Sequence, residues 1–132
     1  MATHNPYEAY QQNSVTTASP GELTLMLYNG CLKFIGKAIT AIENNDISER
    51  NTNIQKAQNI IRELMVTLNM DMEVSKNMIV LYDYMLDQLM NANVKNDVQA
   101  LKDAEALVTE FRDTWKQVIQ MNRQKQYQGS SV

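Results

Sequence analysis

The stretch SPGELTLMLYNGCLKFIGKAITAIE, residues 19–43, decides the fold because it has the pattern of one long amphipathic helix. Ser19 suits the N-cap, Pro20 suits the first helical position, and Glu22 completes a capping box. Apolar residues then recur at intervals of three and four, the periodicity of a helix face. The first stripe contains Leu25, Tyr28, Leu32, Ile35, Ile39 and Ile42, and a second beside it contains Leu27, Cys31, Phe34, Ala38 and Ala41.

The rest of the chain predicts three more helices of similar length, joined by short polar turns. Asp46 or Ser48 caps the second helix, and Asp97 caps the fourth. Their stripes are Ile54, Ala57, Ile61, Leu64 and Leu68; Val74, Met78, Leu81, Met85, Leu89 and Ala92; and Leu101, Ala104, Val108, Phe111, Trp115 and Val118. No stretch alternates with a period of two, so we predict no strands. The predicted fold is all-α, an antiparallel up-down four-helix bundle with an N-terminal arm or short helix.

The expected organisation is one domain with two appendages. Residues 1–19 form the arm, residues 20–122 the bundle, and residues 123–132 a polar, frayed C-terminal tail. A chain of 132 residues is long enough for a single core.

Composition excludes several classes of function. A net charge of −3 argues against nucleic acid, because phosphate binding needs a basic field. No apolar run approaches the roughly 20 residues of a membrane span, and the N-terminus lacks the pattern of a secretory signal. The single cysteine fits a reducing compartment. We therefore expect a cytoplasmic protein without membrane insertion.

The sequence offers little for catalysis. His4 is the one histidine and lies in the arm, so a di-iron bundle with inward Glu-x-x-His pairs and a phosphotransfer histidine on a helix are both excluded. Cys31 lies on an apolar stripe and is expected to be a small buried hydrophobe. No glycine-rich phosphate loop is present. We predict no enzymatic activity, no cofactor and no metal.

The remaining feature that could carry a function is apolar surface. A bundle helix needs about three apolar positions in seven, whereas the third helix carries a side stripe of Ile79, Tyr82, Leu86 and Met90 beside its core stripe. One interpretation is that the surplus apolar residues all pack within the core, which could explain the two apolar stripes of the first helix. The other is that they form a groove that receives an amphipathic segment. The methionines at positions 65, 70, 72, 78, 85 and 90 suit an adaptable groove, although gap-filling in the core explains some of them. The candidate partner-binding residues in the bundle are Met65, Met78, Ile79, Tyr82, Leu86 and Leu107.

The arm contributes two further candidates, Tyr7 and Tyr10. They are three residues apart, so within a helical turn they would share a face. The 14 residues from Asn5 to Ala18 could extend about 45 Å, which is long enough to fold back along the bundle. We expect the arm to shield the groove.

Three segments resemble the flagellar secretion chaperone family FliS: NPYEAYQQNSV, ASPGELTLMLYNGCLKFI and ALKDAEALVTEFRDTWKQVI. The resemblance covers essentially the whole chain. It implies a cytoplasmic helical bundle that binds the disordered C-terminal segment of flagellin, prevents premature polymerisation, and aids delivery to the flagellar type III export gate when loaded. It also implies that Tyr7 and Tyr10 influence client and export-gate binding. The alternatives are a homodimeric helical assembly module and an adaptor for a regulatory protein.

Overall fold

The computed structural model describes residues 19–130, with side chains described as far as residue 124 except for Pro20. This part of the chain forms four α-helices: α1 (Pro20–Glu43), α2 (Ile47–Val66), α3 (Glu73–Lys95) and α4 (Val98–Ser130). The all-helical prediction is confirmed, and no strand occurs within residues 19–130.

Short polar side chains begin three of the helices. Ser19 Oγ accepts a hydrogen bond from the backbone N–H of Glu22 at 3.2 Å, and Asp46 Oδ1 accepts one from Glu49 at 3.1 Å. Asp97 Oδ1 accepts from the N–H groups of Gln99 and Ala100 before α4. These contacts satisfy N–H groups that have no partner inside the helix. The predicted caps of α1, α2 and α4 are therefore confirmed.

Asparagines make the two tight turns. Asn45 (φ 57°) lies between α1 and α2, and Asn96 (φ 54°) ends α3 before α4 begins. Both have the left-handed conformation, which asparagine tolerates better than most residues with a side chain. Turns this short force each following helix to run back along the one before it.

The helices pack in cyclic order. α1 contacts α2 and α4, and α3 contacts the same two helices, whereas the diagonal pairs have no close backbone approach within the described range. The start of α1, the end of α2, the start of α3 and the distal part of α4 therefore lie at one end of an antiparallel bundle.

The buried face of α1 combines the two stripes that the sequence separates. Its core residues are Leu27, Tyr28, Cys31, Phe34, Ile35, Ala38 and Ala41, while Leu25, Leu32, Ile39 and Ile42 are half-buried. Packing against two neighbouring helices uses most of this apolar surface. The same composition makes Gly21–Glu43 the one described helix long and apolar enough to cross a membrane by length and composition, a test that core helices of soluble proteins also pass.

The register predicted for α3 is wrong at two of its six core positions, Val74 and Leu81. The buried residues are Ser75, Tyr82, Met85, Leu89 and Ala92, whereas Val74 and Leu81 are exposed. Tyr82 replaces Leu81 because its hydroxyl reaches the Tyr28 hydroxyl of α1 at 2.6 Å and its ring lies edge-on to Phe111 of α4. A single residue selects which of two adjacent faces enters the core.

The distal part of α4 extends beyond the predicted end of the bundle at residue 122, and the helix continues to Ser130. Trp115 Nε1 donates a hydrogen bond to the Gly21 carbonyl at 2.8 Å. One turn further along α4, Ile119 lies close to Gly21. Arg123 forms an ion pair with Glu22. The first turn of α1 is thus held by α4.

Candidate partner-binding surface

A polar contact at one end of the bundle sets the alignment of α2 and α3. Asn93 donates a hydrogen bond to Asn51 at 2.7 Å, and Arg50 donates to Asn93 at 3.0 Å. Because the two helices are antiparallel and a step of seven residues returns to nearly the same face, Gln58 lies level with Leu86, and Met65 with Ile79.

These four residues line the seam between α2 and α3, which is called here the α2–α3 groove. Gln58, Leu86, Met65 and Ile79 are all half-buried. From Asn93 to Ile79 is 14 helical positions, or about 21 Å. The groove is polar at the Asn51–Asn93 end and apolar toward residues 67–72, where Met70 and Met72 are exposed.

The outward face of α3 is also apolar. Val80, Tyr84, Met90 and Val94 are 64%, 46%, 51% and 77% exposed. Val80 and Tyr84 are four residues apart, as are Met90 and Val94, so each pair shares a face. Exposed apolar residues that share a helix face are a feature common at interaction sites.

The opposite flank of α3 borders α4. Gln88 donates to Tyr84 at 3.1 Å and to Asp103 at 3.2 Å. The same antiparallel alignment places Leu107 level with Tyr84, and Leu107 is half-buried against the core. Leu107 therefore belongs to the α3–α4 flank and not to the α2–α3 groove.

The predicted site residues divide accordingly. The structure places Met65, Ile79 and Leu86 along the seam between α2 and α3, and Met65, Leu86 and Met78 are all half-buried against the core. Tyr82 lies in the core with 1% of its surface exposed, so the expectation that it lies on an exposed side stripe is wrong. Its hydroxyl needs a buried partner, and Tyr28 supplies one. Tyr7 and Tyr10 lie outside the described residues.

Sequence reasoning missed the outward residues of α3. Val80, Tyr84 and Val94 belong to neither stripe assigned from the sequence, although the intervals between residues 80 and 84 and between 90 and 94 are signals of shared faces. The presence of apolar residues outside both assigned stripes was the sequence signal that a third face of α3 is apolar.

Two carboxylates lie among these apolar residues. Asp83 and Asp87 are exposed, one turn apart, and within the described part of the chain neither has an ion-pair partner. Asp83 follows Val80 by three positions, and Asp87 precedes Met90 by three, so the carboxylates and apolar groups share one surface. We call this surface, together with the α2–α3 groove, the α3 surface.

The environment of Cys31 is that of a structural core residue and not of a reactive thiol. Cys31 is fully buried, and burial raises the pKa of its thiol from 9.0 to about 12. The thiol therefore stays protonated at neutral pH, and a protonated thiol is a poor nucleophile. Among the residues described, no group of three His, Cys, Asp or Glu side chains could hold a metal ion.

An antiparallel bundle with an apolar groove and an exposed apolar helix face has the architecture of a helical binding protein. Residues 3–122 match the family described as "Flagellar protein FliS". The chain belongs to the FliS family, which is a family of flagellar export chaperones and not of enzymes.

Relatives cover nearly the full chain. It is 57% identical to the flagellar secretion chaperone FliS of Bacillus subtilis (strain 168) over 132 residues, 100% of this chain and 99% of that protein. It is 35% identical to the protein of the same name from Escherichia coli (strain K12) over 119 residues, 85% of this chain and 88% of that protein. A structure titled "Crystal structure of flagellar chaperone from bacteria" has a TM-score of 0.71 at 20% identity, covering 87% of this chain and 95% of the other; it supports the fold.

Proposed function

We propose that this chain is a cytoplasmic export chaperone that binds the disordered C-terminal segment of flagellin. Binding keeps flagellin from polymerising prematurely, and the loaded complex is delivered to the flagellar type III export gate. Membership of the FliS family supports the class of function. The observation that carries the proposal is the α3 surface, where a half-buried groove adjoins an exposed apolar helix face.

The shape of the α3 surface suits a segment that wraps around the bundle rather than a compact domain. The groove is about 21 Å long, and the apolar residues continue from it onto the outward face of α3. A disordered client can follow such a curved path and bury a large area, although ordering it costs free energy. That cost favours a complex that forms specifically and still dissociates at the export gate.

Asp83 and Asp87 indicate the charge of the client. Both carboxylates lie beside apolar positions of α3 and lack an ion-pair partner within the described residues. A client segment with an arginine or lysine next to its apolar residues would pair with them. An acidic client segment would be repelled, so these residues act on specificity more than on total affinity.

The test is titration calorimetry against a peptide containing the C-terminal segment of flagellin from the same organism. We expect Ile79→Asp and Leu86→Asp each to weaken binding at least tenfold, because the new carboxylate is desolvated in the complex. Thr52→Asp is the matched control, since it adds the same charge at an exposed position of α2, and we expect it to change affinity less than twofold.

Circular dichroism of the free variants separates a binding defect from unfolding. Full helicity with unchanged affinity in both groove variants would refute the assignment of the groove. Loss of helicity in both would instead mean that Ile79 and Leu86 stabilise the core, and the client would then bind elsewhere.

A homodimeric assembly module is the alternative, favoured by the same exposed residues Val80, Tyr84 and Val94. Sedimentation velocity over a wide range of concentrations distinguishes the two. A dimer predicts concentration-dependent mass without client. A chaperone predicts a one-to-one complex whose formation is weakened by the groove variants.

A further inference from the structure

Three lysines surround one aromatic ring on the α1–α2 face of the bundle. The Nζ atoms of Lys33, Lys37 and Lys56 lie 5.7, 6.0 and 5.3 Å from the ring centroid of Phe34. Lys33 and Lys37 belong to α1, whereas Lys56 comes from α2. We call Phe34 and these lysines the Phe34 cluster.

The Phe34 cluster concentrates three positive charges on a small area. Since each ammonium lies within 6.0 Å of the same centroid, no two are more than about 12 Å apart. None of them has an ion-pair partner within the described part of the chain. The Debye length at physiological ionic strength is about 8 Å, so their repulsion is only partly screened. Such a cluster in a chain of net charge −3 favours an anionic occupant.

The three ammonium groups share one aromatic ring. Phe34 is 7% exposed, so its body is fixed in the core while its face attracts cations. The three lysines therefore converge on one ring, whereas a run of lysines along a helix surface does not.

An open depression adjoins the cluster. It is lined by Lys33, Gly36, Lys37, Thr40 and Ala41, and a Cβ built on Gly36 would have no atom within 4 Å. The depression ends at two acidic residues, Asp46 and Glu49. There is room for backbone to lie over Gly36, but the anionic occupant must be short.

We propose that the Phe34 cluster is a second docking site, which binds a short acidic segment of a partner protein. Two or three carboxylates on adjacent residues would pair with the lysines. A nucleic acid or an anionic membrane presents extended negative charge, which would meet Asp46 and Glu49 as well as the overall negative charge of the chain. A short acidic segment avoids both sources of repulsion.

The position of the site allows simultaneous occupancy with the α3 surface. Phe34 lies on α1, which packs on α2 and α4, whereas the backbone of α3 lies across the bundle and does not come close to that of α1 within the described range. The inference goes beyond the proposed function and does not depend on it, because acidic-peptide binding can be measured without a client.

Fluorescence anisotropy of a labelled nonapeptide, with four glutamates among glycine, serine and alanine, tests the proposal. We expect the triple variant Lys33→Gln, Lys37→Gln, Lys56→Gln to bind at least tenfold more weakly than the natural chain. The control is Lys95→Gln, Lys102→Gln, Lys116→Gln, which takes the formal net charge from −3 to −6, as the first variant does. We expect the control to lose less than twofold.

Three results would overturn the proposal. The first is an equal loss in both triple variants, which would attribute binding to net charge. The second is equal binding of a peptide in which glutamine replaces each glutamate. The third is tighter binding of an oligothymidylate of twelve nucleotides, which would make nucleic acid the occupant. Circular dichroism must show unchanged helicity in both triple variants.

Discussion

Tyr28 and Tyr82 connect two helices that lie diagonally across the bundle. Their hydroxyls are 2.6 Å apart, and the rings of both lie edge-on to Phe111, at centroid distances of 6.3 and 5.4 Å. Burial raises the pKa of both phenols above the ordinary value of 10. Both therefore remain neutral at physiological pH, and the pair is a neutral hydrogen bond in the centre of the core.

This geometry predicts strong energetic coupling between the two tyrosines. Tyr28→Phe or Tyr82→Phe alone leaves one buried hydroxyl without its partner, which typically costs about 1–3 kcal/mol of stability. The double variant removes both hydroxyls and should cost less than the sum of the single changes. Urea denaturation of all four proteins, followed by circular dichroism, measures the coupling. Additive losses would mean that other groups satisfy each hydroxyl.

The same pair explains what the sequence could not provide at the residue scale. Leu81 and Tyr82 both continue an apolar series from Met78 at helical spacing, so periodicity alone permits either register. The choice depends on Tyr28 and Phe111, which belong to other helices. Because the α3 register determines which residues face outward, the same ambiguity concealed Val80 and Tyr84 as surface residues.

At the element scale, helix boundaries were predictable because they depend on neighbouring residues. Ser19, Asp46 and Asp97 bond N–H groups two or three positions further on, so local sequence is sufficient. The length of α4 was not predictable in this way. Its last residues are polar, and a polar composition predicts fraying, yet the helix continues to Ser130.

The contact of α4 with the start of α1 gives the element-scale prediction. Trp115 is half-buried and donates to the Gly21 carbonyl in the first turn of α1. Trp115→Phe keeps an aromatic ring and removes the donor, so we expect a loss of about 0.5–1.5 kcal/mol. Hydrogen exchange should accelerate in residues 20–25, while residues 31–38 keep their protection.

Trp115→Ala extends this test. Full burial of an aromatic residue would make the change cost about 3–5 kcal/mol, but Trp115 is only half-buried. We expect a smaller loss and a bundle that remains folded, with a loosened α1 start. Global unfolding in Trp115→Ala, or uniform exchange along α1 in Trp115→Phe, would show that Trp115 supports the whole core.

At the scale of the whole molecule, the topology places the point where the N-terminal arm joins α1 near the apolar end of the α2–α3 groove. α1 begins at the end of the bundle where α2 stops and α3 starts. Met70, Met72 and Val74 are exposed at that end. The 14 residues from Asn5 to Ala18 can reach about 45 Å, about twice the length of the groove.

We therefore predict that residues 1–18 cover the α2–α3 groove in the absence of client, with Tyr7 and Tyr10 as the covering groups. Tethering makes even weak contacts effective through high local concentration. Deleting residues 2–18 should accelerate hydrogen exchange in residues 78–90 and increase self-association measured by sedimentation velocity, because the exposed apolar surface becomes larger. Tyr7→Ala with Tyr10→Ala should reproduce part of both effects, whereas His4→Ala with Glu8→Ala, a control within the same segment, should not. Unchanged exchange and unchanged mass after deletion would show that the groove stays open without the arm.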